Sequence, residues 1–194
     1  MAYKLLPTDR LLWIDLEMTG LDPGRDVIIE AAAVVSDYDF NILDSYQARI
    51  KHGHAKLEKL FAANDFYAKQ YTNNRDYFLN NLASAQPLKT VEADLVKLAK
   101  KYFGQERAVL AGNSIHFDRS FIRVQMPELD KLLHYRMLDV SSWKLVMNNK
   151  FGVAYEKREL HQAFADIQES IDELKFYLEW FGDAANLVAE EEEL

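Results

Sequence analysis

Two carboxylates at the end of an apolar segment constrain this chain more than any other feature of its sequence. Residues 11–17 read Leu-Leu-Trp-Ile-Asp-Leu-Glu, a short apolar run typical of a buried strand. Side chains alternate between the two faces of a strand, so Asp15 and Glu17 share one face beside Trp13. Neighbouring carboxylates repel each other and lose hydration when buried, and a bound divalent cation removes that cost. The pair is therefore either a metal site or the polar face of an exposed strand end.

Length and composition are typical of a single globular domain. The chain has 194 residues, of which 49% are hydrophobic and 28% charged. No repeat or linker-like segment marks a boundary, so we assign residues 1–194 to one domain. No apolar run reaches the roughly 20 residues of a membrane helix, and the first residues lack the pattern of a signal peptide. We therefore expect a cytoplasmic protein that does not enter a membrane.

Charge and cysteine content exclude several functions. The chain has no cysteine, which excludes disulfides, thiolate zinc sites and thiol catalysis. A formal net charge of -8 argues against binding long duplex nucleic acid, which requires a broad basic surface. Glu190 to Glu193 contribute four of these charges, within an acidic tail of about residues 183–194 that need not be ordered. A short oligonucleotide remains a possible partner.

The hydropathy pattern predicts an α/β fold with a central mixed sheet flanked by helices. We expect strands at 11–17, 28–36, 42–50, 108–111 and 137–140, and helices at 90–103, 117–124, 141–148 and 162–181. Ser141 is the candidate cap of its helix. Residues 55–82 are expected to be mostly helical, with breaks around 72–75.

A third acid, Asp118, follows the segment Ala-Gly-Asn-Ser-Ile-His-Phe at 111–117. Glycine at 112 permits close approach of the backbone, and Asn113 and Ser114 can donate to a phosphate or cap the next helix. Asp118 itself is either part of a site or an ordinary acid in the first turn of a helix, where the helix dipole favours it. The sequence leaves both interpretations open.

His161 and Asp166 lie at the start of the last predicted helix. Five positions at about 100° each would separate them by about 140°, so we expect His161 in the preceding loop or the first turn. An imidazole with an ordinary pKa near 6.5 suits a general base, whereas a helix cap or surface histidine is the simpler interpretation. The other histidines are interpreted as structural because none has an acid partner in register: His52, His54, His116 and His134.

The order Asp-x-Glu, Asp, His-x4-Asp resembles the four-acid-plus-histidine exonuclease superfamily, which has a ribonuclease H-like fold. Four separated motifs, at residues 13–22, 111–114, 134–141 and 166–170, are similar to those of the oligoribonuclease family. The resemblance implies a homodimer that removes 5'-mononucleotides from the 3' end of very short single-stranded RNAs, especially dinucleotides. It also implies two divalent cations, Mg²⁺ or Mn²⁺, bound by Asp15, Glu17, Asp118 and Asp166, with His161 taking a proton from the attacking water.

The same resemblance implies a set of substrate-binding residues. Leu21 would pack between two bases, and Ser114 would approach the phosphates. Tyr135 and Arg136 would reach across the dimer to a base and the 5'-phosphate, with Ser141 nearby. The segment 57–82 departs from the family because Phe66 replaces its usual tryptophan and residues 71–74 replace a histidine motif, so no function is assigned there.

Two alternatives to this resemblance are considered. A DNA-trimming or proofreading exonuclease would use the same metal site, but the motif at 134–141 disfavours it. A catalytically silent binder of oligonucleotides or signalling dinucleotides would have little reason to keep a costly cluster of acids.

Overall fold

The computed structural model describes residues 9–156 and 163–192, in which five strands form one mixed sheet. The strands are β1 (Arg10–Met18), β2 (Ile28–Asp37), β3 (Ile42–Arg49), β4 (Ala108–Gly112) and β5 (Leu133–Asp139). Their order across the sheet is β3-β2-β1-β4-β5. The pairs β1–β2 and β2–β3 are antiparallel, and the pairs β1–β4 and β4–β5 are parallel. The predicted mixed sheet is confirmed, and β1 lies at its centre.

Helices connect and cover the strands. They are α1 (His54–Ala62), α2 (Thr72–Asn80), α3 (Leu88–Phe103), α4 (His116–Gln125), α5 (Pro127–Asp130), α6 (Val140–Val146) and α7 (Ala163–Glu192). Short π-type turns at Phe66–Gln70 and Met147–Phe151 and a 3-10 turn at Leu82–Ser84 complete the described elements. Since α7 continues to Glu192, the backbone of most of the acidic tail is helical. The assignment of 1–194 to one domain stays a prediction.

Three details differ from the sequence-based expectations. The break expected around 72–75 lies at Tyr71, directly before α2 begins at Thr72, and a second interruption lies at residues 63 and 64. The last strand begins at Leu133 rather than at 137. Ser141 does not cap α6, since the side chain of Asp139 accepts a hydrogen bond from the backbone N–H of Ser141.

The three inner strands β1, β2 and β4 are buried on both faces, which explains the nearly continuous apolar sequence of β2. On one face, Leu12, Ile14 and Leu16 pack with the apolar sides of α3 and α4. On the other face, Leu11 and Trp13 pack with Ile167 and other residues of α7. Asp15 and Glu17 follow the same alternation as Trp13, so they lie on the face that α7 covers.

Residues 54–84 form a separate layer beside the first residues of β2. Leu57 and Phe61 of α1, Tyr67 and Phe78 are buried there together with Val27 and Ile29. The predicted helical character of this segment is confirmed. Among the residues that the structure describes, no helix is both long enough and apolar enough to cross a membrane.

Candidate active site

Three carboxylates converge at the end of β1. Oxygen atoms of Asp15, Glu17 and Asp166 all lie within 4.8 Å of one another. The strand supplies the first two side chains from one face, and the first turn of α7 supplies the third. All three side chains are partly buried. The strand end is therefore covered by α7, which contradicts the alternative of an exposed polar strand end.

Asp118, which lies on α4, contacts the same strand. It lies in the first turn of α4, is only 6% exposed, and accepts a hydrogen bond from the backbone N–H of Leu16 at 2.9 Å. Leu16 stands between Asp15 and Glu17, so this bond fixes Asp118 next to the acid pair. It lies outside the group of three mutually close carboxylates, but its charge acts on Glu17. A buried side chain that bonds β1 is more than an ordinary first-turn acid.

The electrostatics of the cluster favour a cation. Burial, followed by the charges of the neighbouring carboxylates of Asp166, Glu30 and Asp118, raises the pKa of Glu17 to about 8. Burial also raises the pKa of Asp118. A site with only carboxylate oxygens as donors fits Mg²⁺ or Mn²⁺, which prefer oxygen ligands. The residues present therefore fit a divalent metal, with Asp15, Glu17 and Asp166 as the ligands that already converge.

His161 lies outside the described residues. The described chain resumes at Ala163, the first residue of α7, which is three positions before Asp166. The expected role of His161 as general base stays a prediction.

Leu21 lies on the loop between β1 and β2, next to the cluster. The buried carboxylate of Asp26 holds this loop by accepting a hydrogen bond from the backbone N–H of Asp22 at 3.0 Å. Gly20 is required there, because a Cβ atom would lie 2.4 Å from an oxygen of Asp26. Leu21 is left 64% exposed beside Glu17. The structure thus presents an apolar side chain to solvent on a well-fixed loop at the site.

A cleft of about 280 Å³ lies beside Leu21 and Glu17, one of the three converging carboxylates. Glu17 and Leu21 line one side, and Asn64, Phe66 and Tyr67 line the other. The ring of Phe66 is exposed and stacks on Tyr71 with centroids 4.0 Å apart. Sequence analysis assigned no function to this segment, although its aromatic composition was a usable signal. The fold places the aromatic rings of Phe66 and Tyr67 in the same cleft as Glu17, where they can contact a molecule bound at the carboxylate cluster.

Ser114 and Ser141 meet at the carboxyl end of β4. The backbone N–H of Ser114 donates to Asp139 Oδ1 at 2.9 Å, and the two serine hydroxyls are 3.0 Å apart. Asn113 accepts a hydrogen bond from the Ser141 hydroxyl through its Oδ1 at 3.0 Å. The structure therefore brings both predicted serines together with an asparagine and a carboxylate. The group begins at Asn113, three positions before His116, the first residue of the helix that carries Asp118.

Two histidines have acid partners that the sequence did not indicate. His116 Nδ1 lies 3.7 Å from Asp139 Oδ2, and His54 Nδ1 lies 3.2 Å from Glu58 Oε2. The sequence predicts no acid partner in register for either histidine, and Glu58, four positions after His54 on α1, contradicts this prediction for His54. The partner of His116 comes from a distant strand, which local sequence cannot indicate. The partner of His54 is one helical turn away, so its spacing was a usable signal.

Tyr135 and Arg136 are not part of the carboxylate cluster. Both lie on β5, the edge strand, and Tyr135 is 72% exposed. The guanidinium of Arg136 lies 5.4 Å from the centre of the Tyr135 ring. Two strand spacings separate β5 from β1, which is about 10 Å across the sheet. These side chains therefore lie at the edge of the sheet.

The exonuclease family model of the RNase T type matches residues 12–174. This match defines the class of the chain as a nuclease, a hydrolase with an exonuclease domain. Similar curated proteins are oligoribonucleases from Corynebacterium diphtheriae (45% identical), Mycobacterium tuberculosis (43%) and Francisella tularensis subsp. novicida (38%). Their alignments cover 87% of this chain and 81%, 80% and 94% of the respective relatives. The chain belongs to the oligoribonuclease family.

Solved structures with the same fold are more distant. Exonuclease I of E. coli in complex with a dT13 oligonucleotide has a TM-score of 0.58 at 14% identity, over 87% of this chain and 41% of that chain. The zinc ion bound form of an E. coli exonuclease I complex with single-stranded DNA has a TM-score of 0.61 at 15% identity, over 86% and 40%. The chain spans about two fifths of the length of these proteins. Their likeness supports the ribonuclease H-like fold.

Proposed function

We propose that this protein is a 3'-to-5' exoribonuclease that degrades very short single-stranded RNAs, dinucleotides above all, to 5'-mononucleotides. The observation that carries the proposal is the convergence of Asp15, Glu17 and Asp166, with Asp118 bonded to the same strand, in a member of the oligoribonuclease family. A protein that only bound oligonucleotides would gain nothing from burying these mutually repelling acids.

The proposed cofactors are two divalent cations, Mg²⁺ or Mn²⁺, held by Asp15, Glu17, Asp118 and Asp166. Bound cations supply a Lewis acid that stabilises the negative charge developing on the scissile phosphate and the leaving 3'-oxygen. The protein contributes the placement of the four carboxylates, two from one strand face and one each from α4 and α7. Because these elements are fixed by the core, the ligands do not have to be ordered during binding.

His161 is the proposed general base, which accepts a proton from the attacking water. It stands two positions before Ala163, and two residues of chain span at most about 7 Å. Its position in the sequence, just before the helix that carries Asp166, supports this role. A histidine with an ordinary pKa near 6.5 is largely neutral, and able to accept a proton, at pH 7 and above.

The proposed substrate contacts favour a very short RNA. Leu21 packs between two bases, and the cleft beside it receives one of them. Ser114 and Ser141 approach the phosphates. Tyr135 and Arg136, exposed at the sheet edge, reach across a homodimer to a base and to the 5'-phosphate. A few placed donors then replace the broad basic groove that a net charge of -8 does not provide, and no long duplex is bound.

The proposed setting is the cytoplasm, where short RNA products of other nucleases accumulate as substrates. The protein works there as a homodimer without a membrane partner. This setting agrees with the absence of cysteine from the chain.

One assay tests the proposed activity. RNAs of two, three, five and ten nucleotides with a 5'-phosphate are incubated with the protein and Mn²⁺, beside DNA oligonucleotides of the same sequences. We expect mononucleotides released from the 3' end, with the highest kcat/KM for the RNA dinucleotide. Faster hydrolysis of DNA, or of the ten-nucleotide RNA, would contradict the proposal, and tight binding without hydrolysis would favour the silent binder.

A matched pair of variants assigns that activity to the cluster. Asp166→Asn removes one converging carboxylate, and we expect the loss of nearly all Mn²⁺-dependent turnover. Asp172→Asn makes the same change on the same helix, at a residue that accepts a hydrogen bond from Gln168 at 3.1 Å. It should retain the activity of the unsubstituted protein. Equal activity of the two variants would exclude Asp166 from the site.

The role of His161 has its own test. His161→Ala should keep Mn²⁺ affinity, lose most of the turnover and flatten the low-pH limb of the rate profile, because the titrating base is gone. His54→Ala serves as the control, since that exposed histidine pairs with Glu58 on α1. An unchanged pH profile in His161→Ala would remove this residue from the mechanism.

A further inference from the structure

A buried ion pair lies directly behind the carboxylate cluster. Glu30 on β2 stands opposite Glu17 on β1 and opposite Arg49 on β3, in one row across the antiparallel strands. Glu30 is 1% exposed, and its Oε1 lies 3.6 Å from Nε of Arg49. Side chains in one such row share a face of the sheet. The row therefore places a second acid against Glu17 and a cation behind that acid.

Glu30 also contacts the helix that supplies Asp166. Burial raises the pKa of the Glu30 carboxyl, and hydrogen bonds from the side chain of Gln47 and from the backbone N–H of Ala163, the first residue of α7, act to lower this pKa. The first N–H groups of a helix have no partner within the helix, and an acceptor with negative charge satisfies them and complements the helix dipole. Asp166 follows three positions later, within the same first turn. Glu30 thus connects the two elements that bring the three carboxylates together.

Arg49 is held on its other side by the layer of residues 54–84. Its guanidinium lies 4.7 Å from the centre of the Tyr77 ring, and Nη2 donates to the Tyr77 hydroxyl. Nη1 donates to the hydroxyl of Ser84 at 3.1 Å. Within the described part of the chain, Nε is buried and has no hydrogen-bond partner. With Nη1 and Nη2 bound to this segment, Nε faces Glu30 as its ionic partner.

We propose that Glu30 is a positioning residue for the metal-binding carboxylates, and that Arg49 keeps Glu30 in the conformation that caps α7. This inference rests on the proposed function in that it assumes a divalent cation at the cluster. Without Arg49, Glu30 would be a buried carboxylate with no compensating charge beside Glu17, and repulsion would move it away from Ala163. The first turn of α7 would then lose its cap, and Asp166 would lose its fixed distance to β1.

The decisive measurement is the Kd of Mn²⁺ for the Arg49→Met variant. The loss of a positive charge and the loss of a positioning contact change this Kd in opposite directions. Coulomb's law alone predicts that removing a cation near the acids tightens Mn²⁺ binding. The positioning role predicts weaker binding, by at least fivefold, because Asp166 is displaced. The free Mn²⁺ signal in electron paramagnetic resonance reports the Kd without RNA. A Kd that is unchanged or lower than that of the unsubstituted protein overturns the proposal.

Thermal unfolding separates positioning from simple stabilisation. A purely structural ion pair would lower the Tm by the same amount with and without Mn²⁺. A positioning pair also reduces the rise in Tm that saturating Mn²⁺ causes, and we expect this rise to fall by at least half in Arg49→Met and in Glu30→Ala. An undiminished rise would contradict the proposal. Kinetics with the dinucleotide should show kcat lowered more than tenfold and KM changed less than threefold.

Two further variants complete the design. Arg49→Lys keeps the positive charge but not the planar contact with Tyr77, so its Mn²⁺ Kd should lie between those of Arg49→Met and the unsubstituted protein. If Arg49→Met does not fold, Arg49→Lys replaces it in the test: weaker Mn²⁺ binding than in the unsubstituted protein supports the proposal, and unchanged or tighter binding overturns it. Arg75→Met is the control, because Arg75 pairs with Asp76 at 2.8 Å in the same segment and should change nothing. Failure of RNA hydrolysis by the unsubstituted protein would refute the proposed function and leave the Mn²⁺ measurements valid.

Discussion

Glu17 should contribute close to one released proton when a divalent cation binds at pH 7, because this residue must lose its proton to become a ligand. Burial, followed by the charges of Asp166, Glu30 and Asp118, raises the pKa of Glu17 from an ordinary value of 4.5 to about 8. With that pKa, roughly nine-tenths of the Glu17 carboxyls are protonated at pH 7 and roughly one-tenth at pH 9. Metal binding to a protonated ligand is linked to proton release.

The same shift sets the pH dependence of affinity and stability. Below pH 8, ionisation of Glu17 alone should tighten Mn²⁺ binding about tenfold, which is about 1.4 kcal/mol, for each unit of rising pH, and above pH 8 this contribution should level off. Without metal, the unfolded chain releases the Glu17 proton near pH 4.5 while the folded protein keeps it to about pH 8. Stability without metal therefore falls as the pH rises through this window, and Mn²⁺ should raise the Tm more at pH 8 than at pH 6.

Titration calorimetry checks the proton count. Mn²⁺ is titrated at pH 7 and pH 9 in pairs of buffers that differ in ionisation enthalpy, and the slope of the observed enthalpy gives the number of protons released. The difference between the unsubstituted protein and Glu17→Gln isolates the contribution of Glu17 from that of Asp118, whose pKa is also raised by burial. Asp172→Asn should release the same number of protons as the unsubstituted protein. A difference below about 0.3 proton at pH 7, or one that persists at pH 9, would refute the reasoning.

Three further predictions concern turnover and substrate binding. Asp118→Asn should lower kcat by several orders of magnitude but change the free energy of unfolding in urea by less than about 1 kcal/mol, since the amide oxygen can still accept from Leu16. Arg136→Ala should weaken binding of a 5'-phosphorylated dinucleotide by more than about 1.5 kcal/mol in calorimetry, with little change for the unphosphorylated analogue. Mixed with Asp118→Ala, it should regain activity through heterodimers, and an inactive mixture with subunit exchange shown by mass would exclude a role across the dimer. Gly20→Ala should raise KM for the dinucleotide and leave the Mn²⁺ Kd unchanged, because its Cβ would displace Asp26 and the loop that carries Leu21.

The sequence by itself determined the sheet and half of the candidate site. The common face of Asp15 and Glu17 follows from the two-residue period of a strand, which is a property of the local backbone. The five strands were placed correctly because apolar runs and turn residues are also local signals, although β5 begins four residues before its predicted start. The order of the motifs indicated the family, which the comparisons confirmed.

Only the tertiary structure decided how distant residues meet. Asp166 reaches within 4.8 Å of Asp15 and Glu17 because α7 packs across the face of β1, and no local window of sequence contains that contact. The cap of α6 is another feature that the sequence did not indicate correctly. Asp139 caps this helix instead of Ser141, because its side chain accepts a hydrogen bond from the backbone N–H of Ser141. The row of Glu17, Glu30 and Arg49 also depends on the tertiary structure, because the register between three strands brings these residues side by side. Periodicity and residue chemistry act over a few residues, whereas register and helix packing depend on the whole core, and these set the geometry on which the chemistry depends.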